Sequence, residues 1–289
     1  MIEGPTSYHG GHSGDYCSHA ADRLEDMVKR YIELGFNAVG ITEHIPPVAD
    51  AFVYDDVKAL GVNARDLYHR FEAYFKELRQ LQHRYKDKIT IYAGMETETV
   101  TGYADHVRSL IRTFKPDYIV GSVHHVENIC FDYSKNDYGR TVEILGSIDR
   151  LYERYFDLQY EMIETLRPFV VGHFDMVRLH DDHYHERMKT PEIEKRIDRN
   201  LELIRSLGPV LDFNLRPLVK GKPEPYLTPF ILEKALELGI PAVPGDDSHC
   251  VAEAGLHVDT AIDILKKTGF ETAWPKPRMM TPLDPGELS

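Results

Sequence analysis

Positive charge is the first thing this chain is short of: Lys and Arg total 34 against 47 Asp and Glu, for a formal net charge of −13. That balance opposes a phosphate backbone and leaves no basic footprint, so nucleic-acid binding is excluded as a function class. Cysteine is scarce as well. Cys17, Cys130 and Cys250 are few, odd in number and far apart, which rules out a disulfide framework and a structural zinc site of the CxxC type. No apolar run approaches the roughly 20 residues that a membrane span needs. The opening segment, MIEGPTSYHGGH, lacks a charged stretch followed by an apolar one, so no secretory signal is expected; the reading is cytoplasmic, with no membrane partner. Nothing in the composition speaks to oligomeric state.

What is present is enough apolar material for one core. With 289 residues, 42% of them hydrophobic, the span 1–289 reads as a single domain. Short apolar runs bounded by turn residues predict strands at 37–42 (NAVGIT), 88–94 (KITIYAG), 118–123 (YIVGSV), 169–173 (FVVGH), 210–214 (VLDFN) and 241–245 (PAVPG), with a further short strand before His9. Between them, apolar residues at helical spacing predict helices over 21–34, 64–85, 104–113, 148–166, 193–207 and 229–238. Strand and helix alternate throughout, which implies a parallel sheet covered by helices, and about seven repeats favour closure into a barrel. The stretches 45–63 and 175–191 are long, polar connections placed to form rim loops, and 274–285 reads as an extended, Pro-rich surface tail.

The chemistry-bearing residues follow the strands. The second predicted strand region leads to Glu43 and His44, the next to Glu96 and Glu98 in GMETE, then come His124 and His125, His173, and Asp246, Asp247 and His249. In a parallel barrel these C-terminal strand ends share one face, where barrel enzymes place their sites. A lone histidine after a strand is more often a hydrogen-bonded loop residue, but five equivalent positions point to a ring of ligands. Imidazole suits Zn²⁺, Fe²⁺ and Mn²⁺, and carboxylates bridge ions, so the mixture implies more than one cation. Cations also resolve how so acidic a chain could hold an anionic substrate.

The N-terminal YHGGHSGDYCSH adds His9, His12, Asp15 and His19; it reads either as a floppy polar terminus or, through the turns that Gly10, Gly11 and Gly14 allow, as part of the ring. His180, His183 and His185 in LHDDHYHE sit in a polar connection and are read as a solvated loop. His69, His83 and His106 fall in helical patterns and are read as surface residues. Cys17 and Cys250 flank ligand candidates, but a cysteine nucleophile needs a partnered base and metal chemistry fits better.

The ordered motifs HSGDYCSHA, ITEHIP, GMETE, GSVHHV, VVGHFD and GDDSH, spread over about residues 7–265, resemble those of the PHP phosphoesterases (polymerase and histidinol phosphatase), most closely the histidinol-phosphatase branch. The resemblance implies a distorted (β/α)7 barrel with two or three divalent ions, zinc, iron or manganese, at the C-terminal ends of the strands. It implies that His12 and Asp247 bind one ion, that Glu96 bridges it to a second held by His124 and His173, and that His19, His44 and His249 hold a third. Glu96, Asp247 and His249 then carry the chemistry as well. The expected activity is hydrolysis of a phosphate monoester, L-histidinol phosphate, in histidine biosynthesis.

Two departures from the family pattern touch the site. The family begins with His-x-His, and here Gly10 stands at the first position with His9 one residue earlier. After the fifth listed strand, Val219 stands where an arginine is usual, followed by Lys220; Arg216 or Lys222 are the alternative cations, although a lysine point charge does not replace a bidentate arginine. Lys220, Arg216 and Asn214 are therefore the candidate phosphate-side contacts. Asp132 and Asp175 are the candidates for the cationic end of the substrate, and with Asp247 for the proton donor. A different small phosphate ester, or a metal-binding barrel with little turnover, are the competing readings.

Overall fold

Apolar runs flanked by turns become seven strands, all parallel, in the computed structural model, which describes residues 1–282. They are Thr6–Ser7, Ala38–Ile41, Thr90–Glu96, Tyr118–Gly121, Val170–Val171, Val210–Asn214 and Ala242–Gly245, and each pairs with the next in chain order. Nearly every strand residue is buried, as expected for a parallel sheet covered by helices. The ends of the sheet meet: Tyr8 N–H donates to Pro244 O at 3.1 Å and Asp247 N–H to His9 O at 2.9 Å. The sheet is a barrel closed in all but a regular ladder between its first and last strands.

Aromatic rings fill the lower interior. Tyr8, Tyr92, Tyr118 and Phe169 lie with ring centroids 6.1–6.4 Å apart. The Tyr118 hydroxyl, which donates to Tyr8 O, takes the space that a side chain at residue 40 would need, so that strand carries Gly40 there. Below this plug, Ala273–Trp274 pairs antiparallel with Ile2–Glu3. Trp274 is thus no part of a surface tail: it is 1% exposed, and its indole N–H donates to Gly4 O at 3.2 Å. Burial of so large a ring outweighs the polar, Pro-rich character of its neighbours. Positions 283–285 of the expected tail lie outside the described residues.

The outer helices form where the spacing predicts. Ala64–Tyr85 starts at a reciprocal cap between Asn63 and Asp66 and buries Phe71, Tyr74, Phe75, Leu78 and Leu81, a stripe three or four residues apart. Ile148–Leu166 packs beside Pro191–Leu207, with buried Asn200 donating to Phe156 O at 2.8 Å. Two further helices, Lys135–Leu145 and Val258–Thr268, escape the sequence reading. The first buries only Tyr138 and Thr141 and contains Gly139, so tertiary contact rather than a strong apolar stripe holds it. Each long connection also carries one helical turn or more: Asp55–Ala59 in the first, Met176–Arg178 and Tyr184–Arg187 in the second.

Candidate metal centre

His9 and His12 of the N-terminal segment are buried, not floppy. Beyond Thr6–Ser7 the chain crosses the barrel mouth against the second strand, and Gly10 N–H donates to Gly40 O at 2.9 Å. A Cβ on Gly10 would lie 2.2 Å from that same oxygen, so only glycine allows this approach. The extra residue before His12 is absorbed there, and His9 and His12 both turn inward with 0% exposure.

Glu96, at the end of the third strand, is the hub. Its Oε2 lies 3.3 Å from His9 Nε2, 3.2 Å from His44 Nδ1 and 3.8 Å from His12 Nε2. Its Oε1 lies 3.0 Å from His173 Nε2 and 3.3 Å from His124 Nε2, and accepts from Ser122 Oγ at 2.6 Å. Five imidazoles thus surround one carboxylate. Asp247, from the loop after the seventh strand, places Oδ1 3.3 Å from His12 Nε2 and 3.5 Å from His249 Nε2. Its φ of +44° is a strained value for a non-glycine residue, held by the bond to His9 O.

These donors fit divalent cations. His9–His12–Glu96, His9–His173–Asp247, His12–Asp247–His249 and His44–Glu96–His124 each bring their ligand atoms within 4.8 Å of one another, as do His12, Cys17 and His44. His9 Nε2, both ring nitrogens of His12 and His173 Nδ1 are buried without a hydrogen-bond partner. Such groups are costly unless a ligand satisfies them, and nitrogen with carboxylate oxygen is the donor chemistry of zinc, iron and manganese.

Three carboxylates stand behind the imidazoles. Asp212 lies 2.7 Å from His9 Nδ1, Glu98 lies 3.1 Å from His124 Nδ1, and Glu43 lies 3.4 Å from His12 Nδ1 while accepting from Ser13 N and Oγ. Glu98 also accepts from His125 Nδ1 at 2.9 Å, which turns His125 away from the hub. The sequence reading passes over Asp212, although a charged residue inside an otherwise apolar strand, VLDFN, was the available signal.

Electrostatics inside the cluster are mutual. Burial opposes ionisation of Glu96, but the imidazoles of His9, His44 and His124 outweigh it and hold the carboxyl well below the usual range. Burial would lower His12, yet Asp247 and Glu43 carry its pKa up to about 9. The neighbouring carboxylates raise His9 and His124 in the same way, so a cation entering at these rings would displace protons.

The remaining sequence candidates sit differently. His19 is exposed, with its ring 6.3 Å from that of His44, and it joins none of the close donor groups among the described residues; His44 pairs instead with Glu96 and His124, and His249 with His12 and Asp247. Asn214 is fully buried and donates to Asp212 at 3.0 Å and to Asp247 at 3.1 Å, so it braces a ligand. Asp175 is also fully buried, its two oxygens accepting from Leu227 N and Thr228 N, which commits it to the loop after the sixth strand. Arg216 is paired with Glu253 at 2.5 Å, Lys220 is exposed at the rim, and Asp132 is half-buried beside Cys130. His69 and His83 are exposed, but His106 is half-buried and bonded to Pro46 O at 2.8 Å, pinning the first rim loop.

The profile of the PHP domain matches residues 9–215 of the chain. A Schizosaccharomyces pombe protein named "Probable histidinol-phosphatase" is 33% identical, covering 92% of this chain and 87% of its own length. The histidinol-phosphatase of Saccharomyces cerevisiae is 28% identical over 89% of this chain and 88% of that protein. Among solved structures, the histidinol phosphate phosphatase of Lactococcus lactis, complexed with zinc, L-histidinol and phosphate, has the same fold: TM-score 0.65, 21% identity, 94% of this chain and 95% of that one. With its seven-stranded barrel and a profile match over most of its length, the chain belongs to the PHP domain family.

Proposed function

We propose that this chain is a metal-dependent phosphoric monoester hydrolase whose substrate is L-histidinol phosphate, cleaved to L-histidinol and phosphate in histidine biosynthesis. The observation that carries the reading is Glu96, one buried carboxylate with imidazoles on both of its oxygens, the arrangement needed to bridge two cations. The names of relatives matched over nine-tenths of the chain supply the substrate.

His9, His12, His44, His124, His173, His249, Glu96 and Asp247 would hold two or three ions of zinc, iron or manganese. Bound there, such ions bring the pKa of a water close to 7 and neutralise charge on the phosphoryl oxygens. The chain's own residues do the rest. Ser122 fixes Glu96 and Asn214 fixes Asp247, so the ligands need no rearrangement when substrate arrives. Asp247 and His249 stand at the open edge, with side-chain exposures of 12% and 21%, where substrate would meet the ligands. Lys220 adds positive charge at the rim.

A second reading, another small phosphate ester, has one observation in its favour. Val219 supplies no charge, and Arg216 is already neutralised by Glu253, so the phosphate clamp differs from the family pattern. Phosphate release by protein loaded with Mn²⁺, Zn²⁺ or Fe²⁺ decides between them, across a panel of L-histidinol phosphate, sugar phosphates and nucleotides. Preferred turnover of L-histidinol phosphate is expected, with Glu96→Gln losing metal and activity together. Turnover of other esters alone selects the second reading; none at all, with metal bound, overturns the enzyme.

A further inference from the structure

We infer that Asp212 is a positioning residue for the metal centre: one buried carboxylate that fixes His9 as an Nε2 ligand and braces His173 and Asp247 at the same time. The inference rests on the metal-dependent reading above. Asp212 comes from the middle of the sixth strand and has 0% exposure, as does His9. Its Oδ2 takes three contacts: His9 Nδ1 at 2.7 Å, the backbone N–H of His173 at 3.2 Å and Asn214 Nδ2 at 3.0 Å. Asn214 spends its amide on a second carboxylate, Asp247 Oδ2, at 3.1 Å. Three ligand candidates from three parts of the chain are therefore tied to one oxygen.

The bond to His9 decides the tautomer. An ionised carboxylate can only accept, so Nδ1 carries a hydrogen and Nε2, 3.3 Å from Glu96, is the nitrogen left to bind an ion. This matters more at His9 than elsewhere, because His9 sits one residue out of the family register and reaches the centre only through the Gly10 crossing. A ring on so unusual a path needs an external guide.

A merely structural role does not account for the residue. Asp212 Oδ1 is buried with no partner, and no Lys or Arg reaches the carboxylate in the described structure. A Cβ at residue 245 would come within 2.0 Å of that oxygen, so Gly245 leaves the room it occupies. An unpaired buried carboxylate oxygen is expensive, and a neutral side chain would fill the space at lower cost. Its negative charge is useful where cations gather behind the imidazole.

Asp212→Asn keeps the shape and removes the charge. It should weaken Zn²⁺ and Mn²⁺ binding, measured by competition with a chelator, by about 10–100-fold, and change the visible spectrum of the Co²⁺-loaded protein. Asp181→Asn is the control: Asp181 is also buried but bonded to Arg187 and Tyr152 in the second rim loop, so its loss should lower Tm with metal affinity kept. Wild-type affinity and spectrum in Asp212→Asn would overturn the inference. Should that variant fail to fold, the ¹H–¹⁵N spectrum of zinc-loaded wild type still decides, with His9 assigned by His9→Gln. A protonated Nδ1 is expected; a protonated Nε2 would overturn it. Wild-type protein that binds no divalent metal would sink the functional reading itself, and this one with it.

Discussion

Two parts of this chain look alike in sequence and differ in the folded molecule. The metal centre and the loop segment LHDDHYHE are both dense in histidine and carboxylate. In the loop, His183 and His185 are exposed, and His180 rests edge-on against the Tyr138 ring at 5.4 Å. Asp181 is spent on Arg187 at 2.6 Å and Tyr152 at 2.9 Å. Arg178 holds the base of the loop between the Tyr184 and Tyr226 rings, 4.8 and 4.9 Å from their centroids, and donates to Pro225 O at 2.7 Å. The buried charges of the loop, Asp181 and Arg178, have partners within the protein and Asp182 and Glu186 are exposed, whereas His9, His12 and His173 at the centre keep buried nitrogens without a partner. Composition is shared; unsatisfied donors converging in a buried space are not.

The largest effect should come from closing the crossing that admits His9. Gly10→Ala puts a methyl 2.2 Å from the carbonyl of Gly40, the acceptor of Gly10's own N–H. Relief requires breaking that bond or moving the strand, a cost on the scale of ~1–3 kcal/mol for overpacking. Metal content should fall with Tm, read by elemental analysis and calorimetry on the same preparation. A variant of lower Tm that still holds the full complement of ions would show that His9 is no ligand and would blur the contrast with the loop.

Most of the barrel is legible because its strands are buried on both faces and so read as apolar runs, and because ligands that follow strands inherit a common rim from the topology. Val210–Asn214 falls where the spacing puts it. The failures have physical reasons. GMETE offers two carboxylates, and only tertiary geometry sends Glu96 to the hub and Glu98 behind His124. Asp212 is hidden because its partner, His9, lies 203 residues away in sequence. Asp175 lies two residues beyond His173 and carries the right chemistry for a site, yet backbone N–H groups from a different loop claim both oxygens. Sequence gives donor chemistry and approximate height in the barrel; it does not give which donors are already satisfied.

A middle-sized effect belongs to the loop. Asp181→Asn removes a charge-assisted bond to Arg187 and should cost on the order of 1–3 kcal/mol, seen as a lower Tm with metal content unchanged. The pH dependence sharpens it. Burial raises the pKa of Asp181, but Arg187, the His183 N–H and Tyr152 outweigh it, so the carboxyl titrates below its ordinary range when folded. A depressed folded pKa stabilises fully above the unfolded value, about 4, and the gain fades as pH falls through the folded one. The Tm gap between wild type and Asp181→Asn should therefore be full near neutrality and shrink in acid below that point. A gap independent of pH would remove the ion pair from the account of the loop.

The smallest effect is the most direct test of the contrast. Replacing His180, His183 and His185 together by alanine removes all three loop imidazoles and should leave bound metal per chain unchanged. His183 and His185 are exposed, and the contact of His185 with Glu224, at 3.6 Å, is a surface pair worth little. Their joint loss should alter stability by no more than about 0.5 kcal/mol. His180, packed on Tyr138, should account for most of any fall in Tm. Loss of an ion from the triple variant would mean that the loop reaches the centre after all, and that sequence density of histidine had been the better guide than the satisfaction of each ring.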